Sequence, residues 1–266
     1  MYKLFKIEWL KIKTYKTFWL LYLSFIVFTP LFVVFVAYKF MSTKYSNFEE
    51  MTLKALAGAP FVFPKVWHSV TYFSGLFFVV LSMLFILLIT NEVQYKTHRQ
   101  NIIDGWSRMD FIKAKFTVLV FFIISATLVT FVTALIVGYT YSPAGADVMG
   151  GIKYLGYFVL MATVYMMVAF LVAILVKRTG LSIIIYFVLV VILDNLLWLG
   201  FTLKDSQLGY YMPLEAVDSL IPNPFKPKIM ERRTVADYTL IIAAFTYLVA
   251  YGYIIIMYFR KTDLKT

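Results

Sequence analysis

The sequence NEVQYKTHRQNIIDGWSRMDFIKAK (residues 91–115) is a long polar stretch set between two strongly apolar ones. An uncharged run over 69–90 leads into it and another over 116–138 leads out of it, and each is long enough to cross a bilayer. The polar stretch therefore lies against one face of a membrane. It has no Gly or Pro before Gly105, which ends the first helix, and Ser107 is positioned to cap the next one. This pattern predicts a short surface helix, a tight turn and re-entry into the membrane.

The composition indicates a polytopic membrane protein. Of the 266 residues, 62% are hydrophobic, whereas a soluble domain is closer to half apolar. The formal net charge of +11 is what the positive-inside rule produces, and since no soluble basic domain is present, we expect no nucleic-acid partner. The absence of Cys excludes thiolate metal sites, and two histidines, His68 and His98, are too few for a His-rich one. We therefore expect no metal site and no cofactor site on this chain.

Six apolar segments are long enough to span a bilayer as helices, at about 1.5 Å of rise per residue. The fold class is therefore all-α, with 1–266 forming a single transmembrane domain. In the first span, Pro30 predicts a kink. The predicted spans cover residues 18–38, 69–90, 116–141, 154–176, 181–201 and 239–259.

Two segments outside the spans also have helical patterns. Residues 1–17 alternate basic and apolar residues at helical spacing, which predicts an amphipathic helix in the membrane interface; the alternative is a polybasic flank that only orients the first span. The loop over 202–238 carries apolar residues at helical spacing between Pro213 and Pro222. They predict a short amphipathic helix, which either dips into the outer membrane surface or is an ordinary external helix.

The distribution of basic residues predicts the topology. Six spans put both termini on one side of the membrane. The segments on that side are more than twice as dense in Lys and Arg as the intervening loops, so the positive-inside rule assigns them to the cytoplasm. These segments are 1–17, 91–115, 177–180 and 260–266.

The fifth predicted span carries Asp194 and Asn195 as a candidate polar site. A carboxylate at depth in a span costs roughly 2.5–3.5 kcal/mol on insertion scales, so Asp194 must face protein or water. It is either a proton, cation or substrate-path group, or a structural carboxylate paired with Asn195 or with a neighbouring helix. Motifs such as GxSxG, HExxH and GxxxxGK[ST] are absent from the sequence, so we do not expect this chain to be an enzyme or to hydrolyse a nucleotide.

With these features in place, the chain resembles the ABC-2-type permease family, the membrane subunits of ABC exporters. The central stretch is similar to the family's E…T…R…G.SR…K pattern, and the residues that match it are Glu92, Thr97, Arg99, Gly105, Ser107, Arg108 and Lys115. The N-terminal segment, with Glu8 and Lys11, is similar to the family's interface helix. The segment PLEAVDSLIPNPF (213–225) is similar to its external hairpin region.

The resemblance implies a bacterial cytoplasmic (inner) membrane protein that pairs with a second copy or a homologous permease, each seated on a separate ABC ATPase. ATP and Mg would bind that ATPase. Residues 91–108, within a cytoplasmic segment over 91–110, would be the coupling helix, and closure of the ATPases would move a hydrophobic or amphipathic substrate outward between the permeases. The alternative is an ion- or proton-coupled secondary transporter that uses Asp194. An intramembrane enzyme acting on lipid is a third hypothesis, and no catalytic constellation supports it.

Overall fold

The computed structural model describes residues 2–42, 58–95, 107–225 and 233–261, and all the regular structure among them is helical. Six helical segments are long and apolar enough to cross a membrane. This confirms the all-α, six-span prediction, and the chain is a multi-pass membrane protein. The segments are named span 1 to span 6 in chain order: Lys16–Ser42, Val66–Gln94, Arg108–Tyr141, Lys153–Val176, Thr179–Thr202 and Asp237–Lys261.

Spans 2 and 3 continue beyond the boundaries predicted from hydropathy. Hydropathy marks the part of a helix that lies in hydrocarbon, whereas backbone hydrogen bonding continues until a residue caps the helix. The cap of span 3 is Ser107, whose Oγ accepts from the backbone N–H of Asp110 at 3.1 Å, while the Asp110 carboxylate accepts from the Ser107 N–H at 3.1 Å. This reciprocal capping box confirms that Ser107 begins the helix of the third span.

Two of the spans contain a π-helical segment. In span 1 it covers Ser24–Phe28, directly before Pro30. A proline ring clashes with the carbonyl four residues earlier in a regular α-helix, and the wider π turn relieves that conflict. A π segment therefore lies just before Pro30, and the kink predicted there stays a prediction. The second π segment, Val188–Leu193, lies in the middle of span 5.

Spans 2 and 4 form the centre of the bundle. Most of each is buried, whereas most of spans 1, 5 and 6 faces outward. Aromatic pairs hold the central spans together: the rings of Phe85 and Phe170 lie 5.7 Å apart, and those of Phe78 and Phe158 lie 5.8 Å apart. The apolar side chains exposed on the outer spans suit contact with lipid.

The N-terminal helix covers Tyr2–Ile12 and is shorter than the predicted 1–17. The chain turns after it, and the Trp19 indole donates to the backbone carbonyl of Lys13 at 2.9 Å within that turn. The helix packs against span 3, where the rings of Phe5 and Trp9 lie 5.7 Å and 5.6 Å from that of Phe121. Part of its apolar face is therefore covered by protein, while Ile7 and Leu10 on another side remain exposed.

The N-terminal helix and the end of span 6 lie at the same face of the bundle, called the terminal face below. Glu8 of the N-terminal helix contacts Lys115 near the start of span 3. The Phe111 ring, one turn earlier, lies 5.6 Å from the Phe259 ring at the end of span 6. That the terminal face is cytoplasmic stays a prediction.

The opposite face, called the loop face, carries the connection between spans 5 and 6. It contains a 3-10 turn, Gln207–Tyr211, and a four-residue helix, Glu215–Asp218, called the loop helix below. The loop helix follows Pro213, as predicted, but is shorter than the sequence pattern. Its apolar side chains pack against spans 4 and 6, so they are covered by the bundle. His68 at the start of span 2 also contacts this loop, with Nε2 2.5 Å from the Pro222 carbonyl oxygen.

Candidate functional site

Four charged side chains meet at the terminal face and are called the ion cluster below. Lys115 Nζ lies 2.5 Å from Glu8 Oε2 and 2.6 Å from Glu92 Oε1. Lys11 Nζ lies 3.1 Å from Glu8 Oε1 and 3.4 Å from Glu92 Oε1. Two ammonium groups and two carboxylates thus connect the N-terminal helix, the end of span 2 and the start of span 3.

The centre of the ion cluster is withdrawn from solvent. Lys115 is 1% exposed and Glu8 is 2% exposed, while Glu92 and Lys11 lie toward the edge. Transferring a charge out of water costs several kcal/mol per ion, and opposite charges at hydrogen-bond distance offset that cost. The cluster has equal numbers of positive and negative groups, so its charges balance. Loss of one group would leave a buried charge uncompensated and weaken the connection between the three helices.

The electrostatics of Glu8 agree with an ionised cluster. Burial by itself would raise the pKa of its carboxyl group, but the ammonium groups of Lys115 and Lys11 outweigh this effect. The pKa of Glu8 consequently lies below its ordinary value. Glu8 therefore carries its negative charge at neutral pH and can bind both lysines.

The sequence places Glu8 in this position through helical spacing. Glu8 shares the inward side of the N-terminal helix with Phe5, Trp9 and Ile12, at steps of three and four residues. An acidic residue within an apolar stripe indicates a buried carboxylate that needs a positively charged partner. Sequence reasoning named Glu8 and Lys115 through the family resemblance alone, and did not predict that the two side chains meet.

The structure brings together some of the predicted coupling residues. Glu92 lies in the ion cluster with Glu8 and Lys11, and Ser107 caps span 3. Other predicted coupling residues, namely Thr97, Arg99 and Gly105, fall outside the described residues, as does the side chain of Arg108.

A second polar group, called the hydroxyl cluster below, surrounds the last turn of span 2. Thr90 Oγ1 lies 2.9 Å from Thr179 Oγ1 at the start of span 5, and Asn91 Nδ2 donates to the Tyr15 hydroxyl at 3.1 Å. The Thr179 hydroxyl also lies 3.3 Å from Gln94 Oε1. The end of span 2 therefore contacts the N-terminal segment, span 3 and span 5 through adjacent residues. Sequence reasoning missed Thr179, because a threonine in a basic turn carries no signal of its own.

The predicted polar site in span 5 separates into two unrelated residues. Asp194 is 6% exposed, and its Oδ1 accepts from the backbone N–H of Leu214 at 3.3 Å, at the start of the loop helix. Asn195 is exposed and donates to the Val191 carbonyl of its own helix at 3.2 Å. The two side chains face different surroundings, and the role of Asp194 stays a prediction.

A further acidic residue on the loop face was missed in the sequence. Asp218 is partly buried, and its two carboxylate oxygens lie 2.8 Å and 3.0 Å from the Tyr165 hydroxyl of span 4. Burial, together with the negative charge of Glu215, raises the pKa of Asp218 to about 8. In the described part of the chain, no group of three or more His, Asp or Glu side chains is arranged to hold a metal ion.

The sequence is similar to a known protein family. A family model described as ABC-2 family transporter protein matches residues 4–193, which include both clusters and spans 1 to 4. No curated protein matches the sequence at a significant level. Members of this family are membrane components that transport and do not hydrolyse ATP themselves, and they work with an ABC ATPase. Since the match covers well over half of a six-span helical chain, this protein belongs to the ABC-2 family of transporter proteins, as the permease of an ABC transporter.

Proposed function

We propose that this permease belongs to an ATP-driven exporter and that residues 91–108 receive the motion of a separate ATPase. The observation that carries the proposal is the ion cluster at the base of that segment. Glu92 stands where the chain enters the segment, and Lys115 stands shortly after it leaves, 2.6 Å apart from Nζ to Oε1. A displacement of the segment therefore acts on both of these residues at once.

The ion cluster suits a rigid connection between helices. Removing one partner from a buried ion pair costs about 3–5 kcal/mol, because the remaining charge is left without compensation. Separating the N-terminal helix from the ends of spans 2 and 3 would leave such charges without their partners. The three elements consequently move as one unit when the segment between spans 2 and 3 is pushed.

The remaining parts of the proposed exporter lie outside this chain. A partner ATPase binds ATP and Mg, and a second copy or a homologous permease completes the translocation path. We propose a hydrophobic or amphipathic substrate, such as a peptide, drug or lipid, which the 19% aromatic content of the chain favours. The alternative is a secondary transporter that uses Asp194, whose carboxylate accepts from the Leu214 N–H.

The first test is purification of the chain from its native host in mild detergent, followed by identification of bound proteins and an assay of ATP hydrolysis. We expect an ABC ATPase in stoichiometric amount. Glu92→Gln should alter the hydrolysis rate of the complex, since it removes the charge that pairs with Lys115. Asp147→Asn is the matched control, because Asp147 lies on the loop face and accepts from the nearby backbone N–H groups of Met149 and Gly150. Recovery of the chain without any ATPase would overturn the proposal.

A further inference from the structure

Span 5 contacts the rest of the protein along one narrow stripe. Its fully buried residues are spaced four apart, and the remainder of the span is partly buried or exposed. A helix that packs along a single stripe has few side contacts with the rest of the bundle. Polar contacts at its two ends therefore have a large effect on its position. The stripe consists of Ser182, Tyr186, Val190 and Asp194.

The terminal-face end of span 5 is attached to span 2 through Thr179. Its hydroxyl lies 2.9 Å from Thr90 Oγ1, 3.2 Å from Asn91 Oδ1 and 3.3 Å from Gln94 Oε1. A hydroxyl group has one proton to donate and two lone pairs to accept with, so Thr179 can bond two of these neighbours at a time and exchange between them. Glu92 of the ion cluster lies within the same turn of span 2.

The connection that precedes Thr179 is short and well defined. Two residues, Lys177 and Arg178, join span 4 to span 5, and Lys177 adopts the left-handed conformation with a φ of 60°. The Lys177 ammonium lies 5.7 Å from the centre of the Tyr258 ring in span 6. The start of span 5 therefore lies close to the ends of spans 4 and 6, with Thr179 on its span 2 side.

The other end of span 5 supports the loop helix. Leu214 directly precedes the loop helix and provides no side-chain cap, and Asp194 of span 5 accepts the backbone N–H of Leu214. One turn further along span 5, the Trp198 ring lies 6.3 Å from the Tyr210 ring. Gly209 approaches span 5 so closely that a Cβ there would lie 3.2 Å from the Trp198 carbonyl oxygen.

We propose that span 5 carries displacement of the end of span 2 to the loop helix on the opposite face, with Thr179 and Asp194 as positioning residues at its two ends. The inference rests on the proposed function, since the displacement is the one an ATPase would deliver. The π segment Val188–Leu193 lies between the two residues. Such segments are points where a helix departs from regular hydrogen bonding and can bend, so the two halves of span 5 need not move identically.

The absence of cysteine from this chain makes the inference testable with a single reporter. Leu208 is 59% exposed in the 3-10 turn beside the loop helix, and Leu208→Cys provides one site for a membrane-impermeant maleimide. The labelling rate is measured on the complex with its ATPase in lipid nanodiscs, with and without a non-hydrolysable ATP analogue. We expect the two rates to differ severalfold in the reporter background.

Paired variants then separate a positioning role from a structural one. Thr179→Val, which keeps the shape and removes the hydroxyl, should abolish the nucleotide-dependent difference, whereas Thr179→Ser should retain it. At the other end, Asp194→Leu should abolish the difference, whereas Asp194→Asn retains an oxygen that accepts from Leu214. Should Thr179→Val fail to assemble, Thr90→Val removes the same contact from span 2.

The matched control is Thr246→Val in span 6, because the Thr246 hydroxyl donates at 2.9 Å to Ile242 of its own helix. Equal nucleotide-dependent differences in Thr179→Val and Thr246→Val would overturn the inference and leave the proposed function standing. The inference would also be overturned, and the proposed function left standing, if the complex hydrolyses ATP but the labelling rate of Leu208→Cys does not change with nucleotide. Absence of a bound ATPase would overturn the proposed function and this inference with it.

Discussion

The charge of Lys115 lies between two carboxylates that have little contact with water. Lys115→Met should destabilise the chain by about 3–5 kcal/mol, because the Glu8 and Glu92 carboxylates then share only the Lys11 ammonium and are no longer fully compensated. Lys115→Arg keeps the charge and should cost less. The measurement is the thermal unfolding midpoint in detergent, followed by circular dichroism.

A double substitution tests whether the stability lost in Lys115→Met comes from the ion cluster. Adding Glu8→Gln to Lys115→Met removes one of the uncompensated charges, so the double variant should be more stable than the sum of the two single losses predicts. Strict additivity of the two losses would contradict a direct interaction between Lys115 and Glu8.

The raised pKa of Asp218 predicts that its contribution to stability changes with pH in the opposite direction to that of an ion-paired carboxylate. Its pKa is raised to about 8 in the folded protein, so the folded state binds a proton that the unfolded chain releases at a lower pH. The contribution of Asp218 to stability should therefore fall as pH rises between about 4 and about 8, by at most about 1.4 kcal/mol per pH unit. Above that window its contribution stays constant.

The variant Asp218→Asn isolates this effect, because the amide cannot titrate and its oxygen still accepts from Tyr165. Unfolding midpoints in detergent at several pH values should show a smaller decrease toward alkaline pH in the variant than in the wild type. Parallel curves for the two proteins would refute the assignment to Asp218.

At the scale of elements, the N-terminal helix serves either to transmit motion or to orient the first span. Deleting residues 1–12 removes Glu8 and Lys11 and leaves Lys115 opposed by Glu92. If the helix transmits motion, the truncated chain should insert with normal topology, yet ATP hydrolysis by the complex should lose its coupling to the permease. If the helix only orients the chain, topology should change instead.

A control for the deletion keeps the helix and lowers its charge. Lys6 and Lys13 are exposed and lie outside the ion cluster, so Lys6→Gln with Lys13→Gln tests the orientation signal alone. Normal activity and normal topology in the truncated chain would exclude both roles.

At the scale of the whole molecule, the positive-inside rule predicts which face is cytoplasmic. Lys13→Cys on the terminal face and Leu203→Cys on the loop face are both exposed positions in a chain without other cysteines. In intact cells, an impermeant maleimide should label Leu203→Cys and should reach Lys13→Cys only after the membrane is opened. The reverse pattern would invert the predicted topology and remove the proposed docking surface for a cytoplasmic ATPase.

Local patterns in the sequence predicted much of the architecture. Six apolar runs correspond to six spans, Ser107 begins span 3 with a capping box, and a short helix follows Pro213. These features depend on residues near one another in the chain, through hydrophobic length, caps and proline breaks. The end of the N-terminal helix at Ile12 differed from the prediction, because the turn before span 1 is fixed by a contact from Trp19.

The fold class, the number of spans and the place of the polar stretch between spans 2 and 3 thus follow from composition and local pattern. Three contacts depend instead on how the helices pack: Lys115 is buried between Glu8 and Glu92, Thr179 meets the end of span 2, and Asp194 accepts from Leu214 before the loop helix. The physical reason is distance along the chain. The contact of Lys115 with Glu8 joins residues 107 apart, and helix packing, which local composition does not encode, brings them together.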